Sequence, residues 1–364
     1  MFCIVAHLFN KIFTFDIINN LLCPLLIKFF VPLASPKILS FDNKNKKNLF
    51  CFVLFSLIRI FAFMKKAFLY LLALTFVMAA CGPSYEETKR LTRAQQAQLR
   101  KEDSLALKVA VLPTLDCLPI YLAKDHRFFD TLKTDVRLRR YNAQMDCDTA
   151  LAGGSVEGSI TDLIRGERLQ TKGTPLRYVA ATNTHWQFIS NRTARVKEPK
   201  QLGDKMVAMT RFSATDYLTD LALDGVKTSA TVFRIQINDI PLRLRMLINN
   251  EMDAMWLPEP QATTARLAKH PVMMDTKQKD IRLGVIAFRE KALKDKRRQQ
   301  QLNAFVKAYN RACDSINHYG LKEYADLIKK YCHTDDKTVE ALPKMTFPHA
   351  APPRAVDLER AKKK

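Results

Sequence analysis

Five carboxylates fall where this chain could present groups to a ligand. Asp116, Asp146, Asp162, Asp239 and Glu259 each come just past a short apolar run that reads as a strand. In open α/β sheets, the region outside the carboxyl ends of the strands is where ligands bind. Polar groups accompany them at the same strand ends, namely Cys117, Thr161, Asn183, Ser213, Thr215 and Asn238, together with the cation Arg211 and the indoles Trp186 and Trp256. Carboxylates and hydroxyls in this number suit a solute with a cationic, amino or multiply hydroxylated part. Arg211 beside a helix start, with the free N–H groups of that helix, suits an anionic group. Each residue also has a plainer role open to it. Aspartates often cap helices, Arg211 can form a surface ion pair, and Glu259 can bond backbone amides. Trp256, ending an apolar run beside Pro258, reads as cleft-lining, with burial in the core as the alternative.

Covalent chemistry finds no support. There is no G-x-S-x-G elbow and no G-x-x-x-x-G-K-[ST] loop, so no catalytic residue is assigned. Gly153 to Gly158 precedes a strand, whereas a dinucleotide-binding loop follows one. The seven His show no H-x-x-x-H or H-E-x-x-H spacing and the eight Cys no C-x-x-C, so neither a metal site nor a cofactor is expected.

The elements that must position these groups are clearest over residues 244–261. Leu244, Leu247 and Ile248 form an apolar face at helical spacing, and Asn249-Asn250 can end the helix in a left-handed cap. Met252 to Leu257 then reads as a strand. Pro258 and Pro260 end it, leaving Glu259 on a loop at its carboxyl end. The same grammar occurs 96 residues earlier, where Leu151, Gly153-Gly154, Val156 and Glu157 stand for Leu247, Asn249-Asn250, Met252 and Asp253. Two ordinary αβ units with a shared cap would give this echo, and so would two similar lobes facing each other across a cleft.

The start of the chain reads differently. Residues 1–63 contain no Gly or Glu but hold 12 of the 22 Phe. This Phe-, Ile-, Asn- and Lys-rich composition is that of translated AT-rich non-coding DNA, so Met64 is the expected start. Residues 64–80 then carry a basic pair (Lys65-Lys66), an apolar stretch and small residues before Cys81. This resembles a bacterial lipoprotein signal, which implies lipidation of Cys81 and a membrane tether. Residues 81–104 read as a polar, charged, partly helical spacer. From Leu105 on, short apolar runs alternate with helical patterns, which argues an α/β fold ending in helices.

Four segments in order, KVAVLPTLDCLPIYLAKDHRFFD, ALAGGSVEGSITDL, MTRFSATDYLTDLAL and MLINNEMDAMWLPEPQA, resemble the substrate-binding proteins of ABC importers. Within that superfamily they are most similar to the type II proteins for alkanesulfonates, nitrate or thiamine-precursor pyrimidines. The most family-like pieces are Asp253-Ala254 with Glu259-Pro260, and Phe128 to Asp130. Arg127 departs from the pattern, which usually has Gly there. The resemblance implies two αβ lobes joined by crossover strands, with lobe 1 at 105–190 plus 284–364 and lobe 2 at 196–276. It implies a monomer in the cell envelope, at the periplasmic face or cell surface, that hands a small-molecule ligand to a permease and its ATPase subunits. An aminopyrimidine-like solute suits the carboxylates better than a bare sulfonate or nitrate. Some proteins of this fold are enzymes of pyrimidine-precursor synthesis or chorismate-type dehydration, and that is the alternative function. The usual strand order would place Cys117 near Cys147, as a disulfide or as two thiols, and Cys313 could pair with Cys332 on consecutive helices.

The net charge is +22, and residues 1–80 hold nine Lys/Arg and two Asp/Glu, so the remainder carries +15. The basic residues are scattered, with no aromatic-interleaved stripe, so nucleic acid is not an expected partner.

Overall fold

A computed structural model describes the backbone of residues 85–363 and the side chains from Thr92 on. The expected leader (1–63), signal segment (64–80) and Cys81 lie outside the described residues. The chain divides into two compact units, and Ala94–Lys364 is the one that holds both sheets.

The expected spacer is one helix, α1 (Tyr85–Leu105), whose described side chains are largely exposed. Its last turn is fixed. Asp103 pairs with Arg139 at 2.5 Å and Arg137 at 3.3 Å, and the Arg298 guanidinium donates to the carbonyls of Ser104 and Leu105 at 2.7 and 3.2 Å. Then follow β1 (Leu107–Val111), α2 (Leu118–Asp125), β2 (Val136–Arg140), α3 (Gln144–Gly153), β3 (Gly158–Asp162), α4 (Leu163–Thr171) and β4 (Leu176–Ala181). Pro119 sits in the first turn of α2, where its missing N–H costs nothing. Arg127, just after α2, takes the left-handed conformation at φ 55°. That is the conformation glycine adopts without strain, which accounts for the glycine usual there in the resembled family.

The chain next enters a second sheet through β5 (Trp186–Ser190), β6 (Met206–Met209), α5 (Ala214–Leu223), β7 (Phe233–Gln236), α6 (Ile240–Ile248), β8 (Ala254–Pro258), α7 (Gln261–Leu267) and β9 (Val272–Asp275). It returns by β10 (Gly284–Arg289) and ends in helices α8 (Lys296–Tyr319), α9 (Ala325–Cys332), α10 (Asp336–Glu340) and α11 (Ala355–Lys362).

The sheet orders are β2-β1-β3-β10-β4 and β7-β6-β8-β5-β9. In each, the first three strands run parallel and the fourth runs antiparallel to both neighbours. Each fourth strand is the one that has just crossed from the other lobe. The echo seen in the sequence is thus a structural repeat. Gly154 and Asn250 both take positive φ, at 78° and 61°, after α3 and α6. The acidic residue that follows caps the second strand in the order of its own sheet: Glu157 accepts from the Lys108 N–H of β1 at 2.7 Å, and Asp253 from the Met206 N–H of β6 at 2.9 Å.

One boundary differs from expectation. Trp186–Ser190, placed in lobe 1 from the sequence, pairs with β8 and β9 in lobe 2. Only four residues separate β4 from β5, none of them Gly or Pro, so nothing in composition marks the crossing. The largest core cluster lies in lobe 1, around Leu107, Ile120, Phe129, Phe288 and Phe305. A second joins the lobes at the crossovers, packing Leu163, Leu283 and Val285 against Trp186, Phe188 and Trp256.

Neither disulfide alternative forms. Cys117, Cys147, Cys313 and Cys332 are all free and buried. Cys117, in the turn before α2, accepts the Leu112 N–H at 3.3 Å and has Cys332 as an electrostatic neighbour. Burial pushes the Cys313 thiol up to about 12, so these are inert core thiols.

Candidate functional site

Strand ends of the two lobes meet along one seam. The Leu115 N–H donates to the Glu259 carbonyl at 2.9 Å, and the Gln261 side-chain amide donates to the Pro113 carbonyl at 2.7 Å. Further along, the Ile240 N–H donates to the Asn142 carbonyl at 3.0 Å, beside an isolated bridge between Ala143 and Asp239. Arg165 Nη1 reaches the Arg211 carbonyl at 3.2 Å.

Asp116 lies at the carboxyl end of β1 and is buried. It accepts hydroxyl hydrogen bonds from Thr114 at 2.5 Å, from Thr182 at 3.2 Å and from Thr184. Burial raises its carboxyl and the threonine hydroxyls oppose the shift. Thr182 and Thr184 belong to the extended crossover 182–185, where alternate side chains face opposite ways. Asn183 therefore points away from Asp116 and donates to the Thr346 carbonyl at 3.0 Å. Its expected place in the cleft is corrected.

At the end of β3, Asp162 is 1% exposed. It caps α4 through the Arg165 N–H at 2.9 Å and takes Gln144 Nε2 at 2.5 Å, and the backbone of Ala214 at the start of α5 in the other lobe favours its charged form. Burial raises this carboxyl too. The N-terminus of α5, a ready place for an anion, is thus met by the chain's own carboxylate. Ser213 caps the same helix, accepting from the Thr215 N–H at 3.1 Å and donating to the Thr210 carbonyl at 2.7 Å. Thr215 Oγ1 accepts the Thr210 N–H at 2.9 Å.

Thr161 donates at 3.3 Å to Asp148, which is ion-paired with Arg165. Asp148 is 4% exposed, and burial pushes its carboxyl up to about 6 despite the guanidinium beside it.

Several expected site residues do other work. Trp256 is wholly buried, stacks on Phe188 with centroids 4.7 Å apart and donates its indole N–H to Thr219 at 3.0 Å. It lies in the core because its strand is the middle one of sheet 2, covered on both faces. Trp186 belongs to the same core cluster. Cys117 is likewise sealed beneath the turn. Asp146 is exposed in the first turn of α3 and lines, with Asn142, Pro113 and Asp239, a cavity of about 440 Å³ at the seam. Arg211 has an exposed side chain and contributes its carbonyl to the seam. Asn238 is half-buried and accepts from Gln236 at 3.2 Å, while Asp239 caps α6 through the Leu242 N–H at 2.7 Å. Glu259 binds its own helix start, accepting from the Thr263 N–H and hydroxyl at 3.0 and 2.7 Å and pairing with Arg266 at 2.9 Å.

The structure adds Asp148, Arg165, Thr182, Thr210, Arg243 and Gln261 to the seam and its surroundings. Arg243, 2% exposed, donates to the Trp256 carbonyl at 3.0 Å with no carboxylate in salt-bridge contact among the described residues, and burial lowers it to about 10. Among the described residues, the buried atoms Thr210 Oγ1, Gln261 Oε1 and Arg243 Nε have no hydrogen-bond partner. No group of His, Cys, Asp and Glu among the described residues is arranged to hold a metal ion, and no described helix is long and apolar enough to cross a membrane.

Two α/β lobes with repeated strand order and two crossovers make this a periplasmic-binding-protein fold. Three solved structures share it. A protein of Bordetella bronchiseptica RB50 matches with TM-score 0.62 at 18% identity, over 72% of this chain and 88% of its own. The alkanesulfonate-binding protein SsuA of Xanthomonas axonopodis pv. citri, bound to MOPS, matches with TM-score 0.59 at 15% identity, over 71% and 90%. The periplasmic nitrate-binding protein NrtA of Synechocystis PCC 6803 matches with TM-score 0.56 at 16% identity, over 64% and 68%. No curated protein matches the chain in sequence. The chain belongs to the NMT1/THI5-like family, whose model matches residues 114–318.

Proposed function

We propose that this protein is a solute-binding component of an ABC importer in the cell envelope. It captures a small organic solute between its lobes and is tethered to a membrane through a lipid on Cys81. The family and the fold support the first part, since the similar structures include binding proteins for nitrate and alkanesulfonates. The observation that carries the reading is Gln261. Its amide reaches across the seam to Pro113 while its carbonyl oxygen stays buried and without a donor, an arrangement that a polar solute would complete.

The solute is a neutral or aminated compound with both donors and acceptors. A bare sulfonate or nitrate fits less well, because the Asp162 carboxyl already stands at the α5 N-terminus and takes the place an anion would use. Capture works by differential affinity. Contacts from both lobes exist together only when the lobes meet, so the solute favours that state.

A thermal-shift panel of aminopyrimidines, sulfonates, nitrate and amino acids tests this. A solute at about 100 times its dissociation constant stabilises by roughly 2.7 kcal/mol. The expected hit is an aminated heterocycle, recovered chemically unaltered, whose affinity falls at least tenfold in Gln261→Ala. A hit that is converted, or one indifferent to Gln261→Ala, overturns the reading.

A further inference from the structure

A cavity of about 460 Å³ lies behind the crossovers, walled by three separate stretches of chain. The first crossover contributes Asn183 and His185, and the second contributes Lys277 and Arg282. The irregular segment between α10 and α11 contributes Lys344 and Arg354. This is not the seam. Asn183 and His185 line it, whereas Thr184 between them turns its hydroxyl to Asp116, so the cavity lies on the opposite side of the same extended chain, with Thr182 adjoining both. The C-terminal segment is held across it at fixed points, by the Ala181 N–H to the Ala351 carbonyl at 2.7 Å and by Asn183 Nδ2 to the Thr346 carbonyl at 3.0 Å.

The charge in the wall is one-sided. Its one carboxylate, Asp357, is itself buried and already bonded by Arg354 at 2.6 Å and Arg360 at 2.7 Å. Arg282 and Arg354 share the exposed Asp280, at 3.2 and 2.7 Å. Lys277 and Lys344 have no carboxylate in salt-bridge contact among the described residues. Two buried polar atoms aimed from the crossover complete the picture. His185 Nδ1 and Asn183 Oδ1 have no hydrogen-bond partner among the described residues. Asn183 has spent its amide N–H on Thr346, so its oxygen calls for a donor. His185, whose protonation burial disfavours, can present a neutral N–H to an anion.

We propose that this cavity binds a small hydroxylated polyanion, of the hydroxy-polycarboxylate or sugar-phosphate kind. Anionic oxygens answer Lys277, Lys344, Arg282 and His185, and a hydroxyl donates to Asn183 Oδ1. The volume admits a molecule of citrate or pentose-phosphate size. This site does not depend on what the seam binds.

Isothermal titration of the full chain with citrate, ribose 5-phosphate and tricarballylate tests it, tricarballylate being citrate without its hydroxyl. At least one of the first two binds, and the arm that does identifies carboxylate or phosphate as the preferred anion. Tricarballylate binds at least tenfold more weakly than citrate if citrate is the ligand. The exposed pair Lys277→Ala/Lys344→Ala weakens binding at least tenfold, whereas Gln261→Ala leaves it unchanged. With citrate, Asn183→Ala removes the discrimination against tricarballylate, and with ribose 5-phosphate it weakens binding itself. The proposal is overturned if neither ligand binds at millimolar concentration, if citrate and tricarballylate bind equally, or if the lysine pair does not matter. Loss of binding in Gln261→Ala would also overturn it, by placing the ligand in the seam.

Discussion

Asp148 and Arg165 form a buried ion pair near the seam. Both are largely buried, and Asp148 is raised from 3.8 to about 6 because removal from water penalises its charged form. A carboxylate raised on folding holds its proton more tightly in the folded state. The stability it contributes is full below about pH 4 and is lost as pH rises through about 6. The stability of the wild type relative to Asp148→Asn is therefore expected to fall by roughly 3 kcal/mol at most between pH 4 and pH 7.5. Urea unfolding at the two pH values measures it, and a gap that is constant or widens with pH contradicts the assignment. Asp148 was not legible in the sequence, although Asp146 was singled out two residues away. Both stand at the start of a helix, and which of them turns inward depends on helix phase, which shifts by about 100° per residue. A boundary uncertain by a residue or two leaves that phase undetermined.

At the scale of elements, the helix starts and strand ends carry most of the design. Ser213 caps α5 from within the seam, so Ser213→Ala is expected to cost about 1 kcal/mol. Trp256→Ala removes a side chain stacked in the core and is expected to cost about 3–5 kcal/mol. In a ligand titration of that variant, solute affinity measured on the folded fraction should hardly change, and a large loss there would return Trp256 to the site. The repeated unit of helix, left-handed cap, acidic residue and strand was legible because its punctuation is local: Gly154 and Asn250 supply the turn, and Glu157 and Asp253 the strand cap. The crossover was not. Thr182 to His185 continue extended between two strands, and only the tertiary pairing of β5 with β8 tells that the chain has changed sheets. The proline pair around Glu259 did mark a strand end. It could not show that Glu259 turns back onto Thr263 and Arg266.

At the scale of the molecule, each lobe lends the other its fourth strand, and an apolar cluster ties the lobes together beside the crossovers. The arrangement has a consequence in time. Residues 186–275 supply every strand of sheet 2 in one unbroken stretch, whereas sheet 1 waits for β10. β4 pairs with β10 alone among the described strands, so it leaves the ribosome roughly a hundred residues before its only ladder partner. Through that interval a nascent chain holds sheet 1 as three strands and a loose fourth, with about two-fifths of its main core still to be made. The inserted lobe is the first to be complete, and the enclosing lobe, though begun earlier, is the last to close.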